Sequence, residues 1–156
     1  MTVFDFEEQN KVGKLGEAFV KKYWTVPLRK LEGKGPDFLD LDGNLLEVKT
    51  DSYDHDKTVN LFIERWSDYS KERPGGPWQA MEKGSTVFIY LFISSKIWYV
   101  FKDIPALIEE LEAIIPKLGK VFIQNKGWST VGYKVPRKKL EHLCETKTFG
   151  PKKKER

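Results

Sequence analysis

Asp37, Glu47 and Lys49 are the residues of this chain whose types and spacing could do chemistry. Two carboxylates and an ammonium brought together make an oxygen-rich cation site beside a fixed positive charge. Hydrolysis of a phosphodiester at neutral pH calls for that combination. A metal ion polarises the phosphate and makes hydroxide from water, and a lysine orients the attacking water or stabilises the charge of the transition state. Mg²⁺ suits such a site, with Mn²⁺ as substitute, because it takes hard oxygen ligands. One or two carboxylates are usual, with water and substrate oxygens completing the octahedron.

Glu-x-Lys is the smallest unit of this kind, since side chains two apart on a strand share a face. The chain contains three: Glu32/Lys34, Glu47/Lys49 and Glu145/Lys147. The first lies among Gly33 and Gly35, and the third in a polar C-terminal stretch. Only Glu47/Lys49 is embedded in an apolar strand, Leu45-Leu46-Glu47-Val48-Lys49, where Leu46 and Val48 point one way and the two charges the other. Asp37 follows Pro36 at the mouth of the preceding strand. A three-residue loop Asp42-Gly43-Asn44, closed by a left-handed Asn44, pairs Leu41 with Leu45, Leu39 with Glu47 and Asp37 with Lys49, so that the three charges converge. A two-residue loop would put Asp37 on the opposite face. The competing reading of the trio is an ordinary ion pair on a surface strand.

The surrounding elements follow from periodicity and punctuation. Val12, Leu15, Phe19 and Tyr23 recur at helical spacing over residues 5–24, and Pro27 ends that helix. Gly13 and Gly16 suggest close backbone approach beside Glu17, which is either part of the site or a solvated helix residue. Strands are expected at 28–31, 38–41, 45–49 and 58–65, and a polar loop over 67–77. A short helix over 78–83, strands at 86–92 and 97–101, and a helix from Asp103 to about Ile115 come next. A β-hairpin over 121–134 and a last helix after Pro136 complete the order of a mixed α/β domain.

Glu64 closes the strand at 58–65 and is placed either behind the metal site or in solvent. Gly76 and Gln79 open the short helix, whose free N–H groups could take a phosphate; Lys57 and Arg65 are further candidates for DNA contacts. His55 and His142 read as lone solvated histidines. Asp51, Asp54 and Asp56 read as a mobile acidic loop, and the five tryptophans mostly as core.

The length of 156 residues suits one domain, taken as 1–150 with a basic tail at 151–156. A 40 % hydrophobic content supplies a core. From Lys134 onward nine Lys and Arg stand against three Glu, so that stretch is +6 and the rest of the chain −2. A near-neutral body with a basic end suits a polyanion, and Lys152, Lys153 and Lys154 are the candidate phosphate contacts, with a solvated terminus as the alternative. Cys144 is the sole cysteine, which excludes an intrachain disulfide and suggests a reducing compartment. The acidic start MTVFDFEEQN is unlike a signal peptide and no apolar run approaches membrane-spanning length. An intracellular protein without a membrane partner is the expectation.

Pro36-Asp37, nine intervening residues, then Glu47-Val48-Lys49, with Gly13-Lys14-Leu15-Gly16-Glu17 upstream, resembles the PD-(D/E)xK nuclease superfamily. The short length and spacing are most similar to its Holliday junction resolvases and phage endonucleases. The resemblance covers residues 10–92; beyond them it concerns the fold alone. It implies a restriction-endonuclease-like mixed sheet flanked by helices, here with an added C-terminal β-hairpin and helix. It implies Asp37, Glu47 and the Val48 carbonyl as metal ligands, Lys49 as the catalytic lysine, and Glu17 as a ligand or water holder. Gln79 resembles a Gln that some relatives carry on this helix, but Lys83 stands where a Tyr is expected four positions later. The implied activity is Mg²⁺-dependent endonucleolytic cleavage of DNA, branched or duplex, in recombination or repair. A possible homodimer would place two opposed sites, in the cytoplasm of a bacterial, archaeal or phage-infected cell. The alternatives are a sequence-specific or repair-type endonuclease of the same fold, or a DNA-binding protein without activity.

Overall fold

A computed structural model of the chain describes residues 6–150. An N-terminal helix α1 (Phe6–Tyr23) leads into strands β1 (Leu28–Lys30), β2 (Phe38–Asp40) and β3 (Leu45–Asp51). Strands β4 (Asn60–Asp68) and β5 (Arg73–Pro74) and helix α2 (Gly76–Glu82) follow. Then come β6 (Val87–Phe92), β7 (Ile97–Phe101), α3 (Ile104–Ile114), β8 (Val121–Gln124), β9 (Ser129–Pro136) and β10 (Glu145–Thr148). The strands form two sheets, ordered β1-β2-β3-β6-β7-β10 and β5-β4-β9-β8. The protein is thus a mixed α/β fold. β3 and β6 pair in parallel, and the chain between them passes through β4, β5 and α2.

β6 explains how the two layers meet. Its sequence VFIYLF is buried at every position, as a strand covered on both faces must be. Val87, Ile89 and Leu91 enter one core with Val20 of α1, Leu46, Trp98 and Val100. Phe88, Tyr90 and Phe92 enter the other, with Leu61 and Ile63 of β4, Leu107 and Leu111 of α3, and Tyr133 and Val135 of β9. The odd-numbered residues of β3 pair with Phe88, Tyr90 and Phe92. Glu47, Lys49 and Asp51 therefore face the second sheet, while Leu46, Val48 and Thr50 face α1.

Several expectations are corrected here. The β2–β3 loop has three residues, but they are Leu41, Asp42 and Gly43. Leu39 pairs with Leu45 and Phe38 with Leu46, which sets Asp37 opposite Glu47 rather than Lys49. Gly43, at φ +88°, supplies the left-handed residue in place of Asn44. Asp40 is the reason. Its buried carboxylate accepts from the N–H groups of Asp42 (3.0 Å) and Asn44 (2.8 Å), from Asn44 Nδ2 (3.0 Å) and from Trp24 Nε1 (3.0 Å). The register moves by two, so the parity that puts the charges on one face survives. β4 runs on to Asp68 and β5 occupies part of the expected loop. The helix expected after Pro136 is instead two single 3₁₀ turns, Arg137–Lys139 and Glu141–Leu143, followed by β10, which extends the first sheet alongside β7. Glu145/Lys147 lies on this strand.

The loop after β3 is ordered by its own side chains. Asp54 caps the 3₁₀ turn His55–Lys57 through Asp56 N–H, and Asp51 accepts from Tyr53 N–H and from the Tyr90 hydroxyl. His55 is not solvated: Nε2 lies 2.7 Å from the Tyr99 hydroxyl and the ring packs edge-on against Phe92.

Candidate active site

The register of β2 on β3 brings Asp37 and Glu47 side by side. Asp37 is anchored at both ends: its N–H donates to Leu46 O (2.9 Å) and its Oδ2 accepts from Val48 N–H (2.8 Å). Oδ1 is left facing outward, 3.7 Å from Lys30 Nζ. Glu47 is buried, 7 % exposed. Its Oε2 accepts from Lys83 Nζ at 2.9 Å, while Oε1 is buried with no hydrogen-bond partner. Burial pushes the Glu47 carboxyl up to about 7; the Asp37 charge adds to the shift, and Lys83 opposes it. A buried oxygen in this setting favours a proton or a bound cation.

Lys49 lies one step further along β3 on the same face, and its Nζ meets Glu64 Oε1 at 3.2 Å. Glu64 is held in place by a bulge. The β4–β9 register shifts between Glu64 and Trp66, and the backbone of Gly75 and Gly76 packs directly on Glu64. A Cβ on Gly76, whose φ is +49°, would sit 2.6 Å from Glu64 O. The glycines that open α2 thus serve close approach, and Gly75 N–H is already used by Arg65 O at 3.0 Å. Gln79 is half-buried one turn further on.

Glu17, expected as a metal ligand or water holder, meets Lys30 rather than Asp37 or Glu47. Gly16 is where α1 touches β3: a Cβ there would lie 1.8 Å from Thr50 Oγ1. The Glu17 carboxylate is ion-paired to Lys30, which also faces Asp37. Burial lowers the Lys30 ammonium's pKa, but its hydrogen bond to Glu17 and the Asp37 charge outweigh that and raise it. Among the described residues no three His, Cys, Asp or Glu side chains form a metal-holding group. The carboxylates that stand together are Asp37 and Glu47, and that pair fits Mg²⁺ by its donor chemistry: two hard oxygens, one of them buried and unpartnered.

Two participants escaped the sequence reading. Lys83 appeared only as a departure from a tyrosine, although its spacing of four from Gln79 already put both on one face of α2. Lys30 carried no signal, because it reaches Asp37 only through the pairing of β1 with β2. Of the proposed DNA contacts, Lys57 is exposed at the rim of a cleft between the two sheets. Arg65 packs on aromatic rings, its guanidinium 3.9 Å from the Trp66 ring centre and 4.6 Å from that of Trp78. Lys152, Lys153 and Lys154 lie outside the described residues. No helix among the described residues is long and apolar enough to cross a membrane. Compared with family models, curated proteins and solved structures, the chain finds no match.

Proposed function

We propose that this protein is a Mg²⁺-dependent nuclease that hydrolyses phosphodiester bonds in DNA, structure-selectively on branched substrates. One observation carries the reading: the acidic pair Asp37–Glu47, with a buried, unpartnered Glu47 oxygen, shares a strand face with Lys49. A protein that merely bound DNA would gain nothing from this pair, since buried like charges cost stability.

Asp37 Oδ1 and Glu47 Oε1, with the Val48 carbonyl, would hold the ion, which when bound polarises the phosphate and acidifies water. The backbone hydrogen bonds of Asp37 fix its carboxylate before substrate arrives, so little reorganisation is needed. Lys83 keeps Glu47 from full protonation by stabilising its charged form. Lys49, held by Glu64, is positioned to hydrogen-bond a non-bridging phosphate oxygen or the attacking water. Lys30 neutralises Glu17 and Asp37 at the rim, which lowers the repulsion that an incoming phosphate meets. A homodimer would supply the two opposed nicks that resolving a junction requires.

The test is a panel of branched, duplex and single-stranded DNA, and RNA, incubated with Mg²⁺. Cleavage should vanish in EDTA and in Asp37→Ala and Glu47→Ala, while binding in metal-free buffer persists, because phosphate contacts elsewhere remain. Ca²⁺ should support binding with little turnover. Wild-type turnover by Asp37→Ala, or robust cleavage in chelator, refutes the assignment.

A further inference from the structure

A cavity opens directly from Lys49 and Glu64 and runs between the two sheets, with a volume of about 730 Å³. Its walls come from the end of β3 and the loop after it, from β4, and from the β8–β9 hairpin. The lining is of three kinds. Phe62, Val121 and Ile123 give apolar surface, and Tyr53 adds a ring that is 56 % exposed. Tyr53 has no aromatic partner among the described residues, and the Phe62 ring packs on the backbone of Gly132 rather than on another ring. Lys57 and Lys134 stand exposed at the cleft and pair with no carboxylate among the described residues. Glu64 is paired to Lys49, while Asp51, which accepts from the Tyr90 hydroxyl, and exposed Asp56 remain as opposing charges.

We propose that this cleft receives one unpaired nucleotide next to the scissile phosphate, its base against Tyr53 and Phe62 and its phosphates along Lys57 and Lys134. This rests on the nuclease reading and names the substrate class of the same site: nucleic acid with an unpaired strand. The volume falls in the range of pockets that enclose one small molecule, and a paired, stacked base cannot enter without leaving its helix. An unstacked base needs an apolar or aromatic face to replace its lost neighbours, which the cleft supplies next to free cations for the backbone. Continuity with Lys49 puts the unpaired nucleotide beside the reacting phosphate. A branch point, flap or gap provides such a nucleotide at low cost, whereas an intact duplex does not.

The experiment is binding in EDTA, which is independent of cleavage, with 2-aminopurine placed in a single-stranded oligonucleotide, at a three-way branch and within a blunt duplex. Anisotropy reports affinity and 2-aminopurine emission reports the base environment. The single strand and the branch should bind well above the duplex. Tyr53→Ala should weaken them roughly tenfold, with the duplex unaffected, and Tyr53→Trp should restore binding. Ile123→Trp, which fills the cleft, should weaken the unpaired substrates while the melting temperature holds. Equal affinity for duplex and single strand, or no effect of Tyr53→Ala and Ile123→Trp, overturns the cleft assignment while Mg²⁺-dependent cleavage at Asp37 and Glu47 stands. Absence of binding to every nucleic acid overturns both.

Discussion

Glu47→Gln separates a functional carboxylate from a structural one. Glu47 is buried and its carboxyl is pushed from 4.5 to about 7, first by burial and then by Asp37. At ~1.4 kcal/mol for each tenfold change in proton affinity, holding Glu47 charged costs the folded state about 3 kcal/mol. The sign follows from the direction of the shift. The folded state holds this proton more tightly than the unfolded chain, so stability falls as pH rises from 4.5 to about 7 and then levels off. Glutamine keeps the shape and a carbonyl that can accept from Lys83, but it carries neither the charge nor the repulsion with Asp37. The two proteins should be equally stable near pH 4.5. Above pH 7 the variant should exceed wild type by up to about 3 kcal/mol, or about 6–12 °C in Tm for a chain of this length. Thermal unfolding followed by circular dichroism at pH 4.5, 6 and 8.5 in EDTA measures the gap. Added Mg²⁺ at pH 8.5 should raise the Tm of wild type and leave the variant unmoved. A variant less stable than wild type at pH 8.5, or a gap that does not change with pH, refutes the account of Glu47 as a strained, cation-seeking group.

Three other substitutions test the surrounding architecture. Lys83→Met removes the group that opposes the upward shift of Glu47. The acidic limb of the rate–pH profile with Mg²⁺ should therefore move to higher pH, with Lys83→Arg restoring it; an unmoved limb denies Lys83 this role. Lys49→Ala should lower the single-turnover rate at least ~10²-fold, as loss of a preorganised charge donor does; near-normal turnover would remove Lys49 from the mechanism. Gly16→Ala drives a methyl into Thr50 and should cost ~1–3 kcal/mol by urea unfolding, despite alanine's better helix propensity; a stabilised variant would mean that α1 is not seated on β3 there.

The sequence by itself determined the local parts of this protein. Alternating Leu46/Val48 against Glu47/Lys49 states which residues of β3 share a face, because strand periodicity belongs to the backbone. The run Val87–Phe92 announced a strand covered on both sides, and Asp103 with Pro105 announced the start of α3. The shared face of Asp37, Glu47 and Lys49 was legible too, because any odd-length loop there preserves parity. The tertiary structure decided what depends on contacts distant in sequence. Asp40 holds the hairpin loop locally, but its burial comes with a bond from Trp24, which follows α1. Arg65 stacks against Trp66 and Trp78, the latter brought to it by α2. The stretch after Pro136 spends its backbone hydrogen bonds on the open edge of β7 instead of forming a helix, a choice that composition does not announce. Above all, the charge state of the site is tertiary. Lys83 and Lys30 arrive from α2 and β1, and the burial that leaves a Glu47 oxygen without a partner comes from the packing of the second layer over β3. Periodicity encodes direction, but desolvation and ion pairing depend on which elements come to lie together.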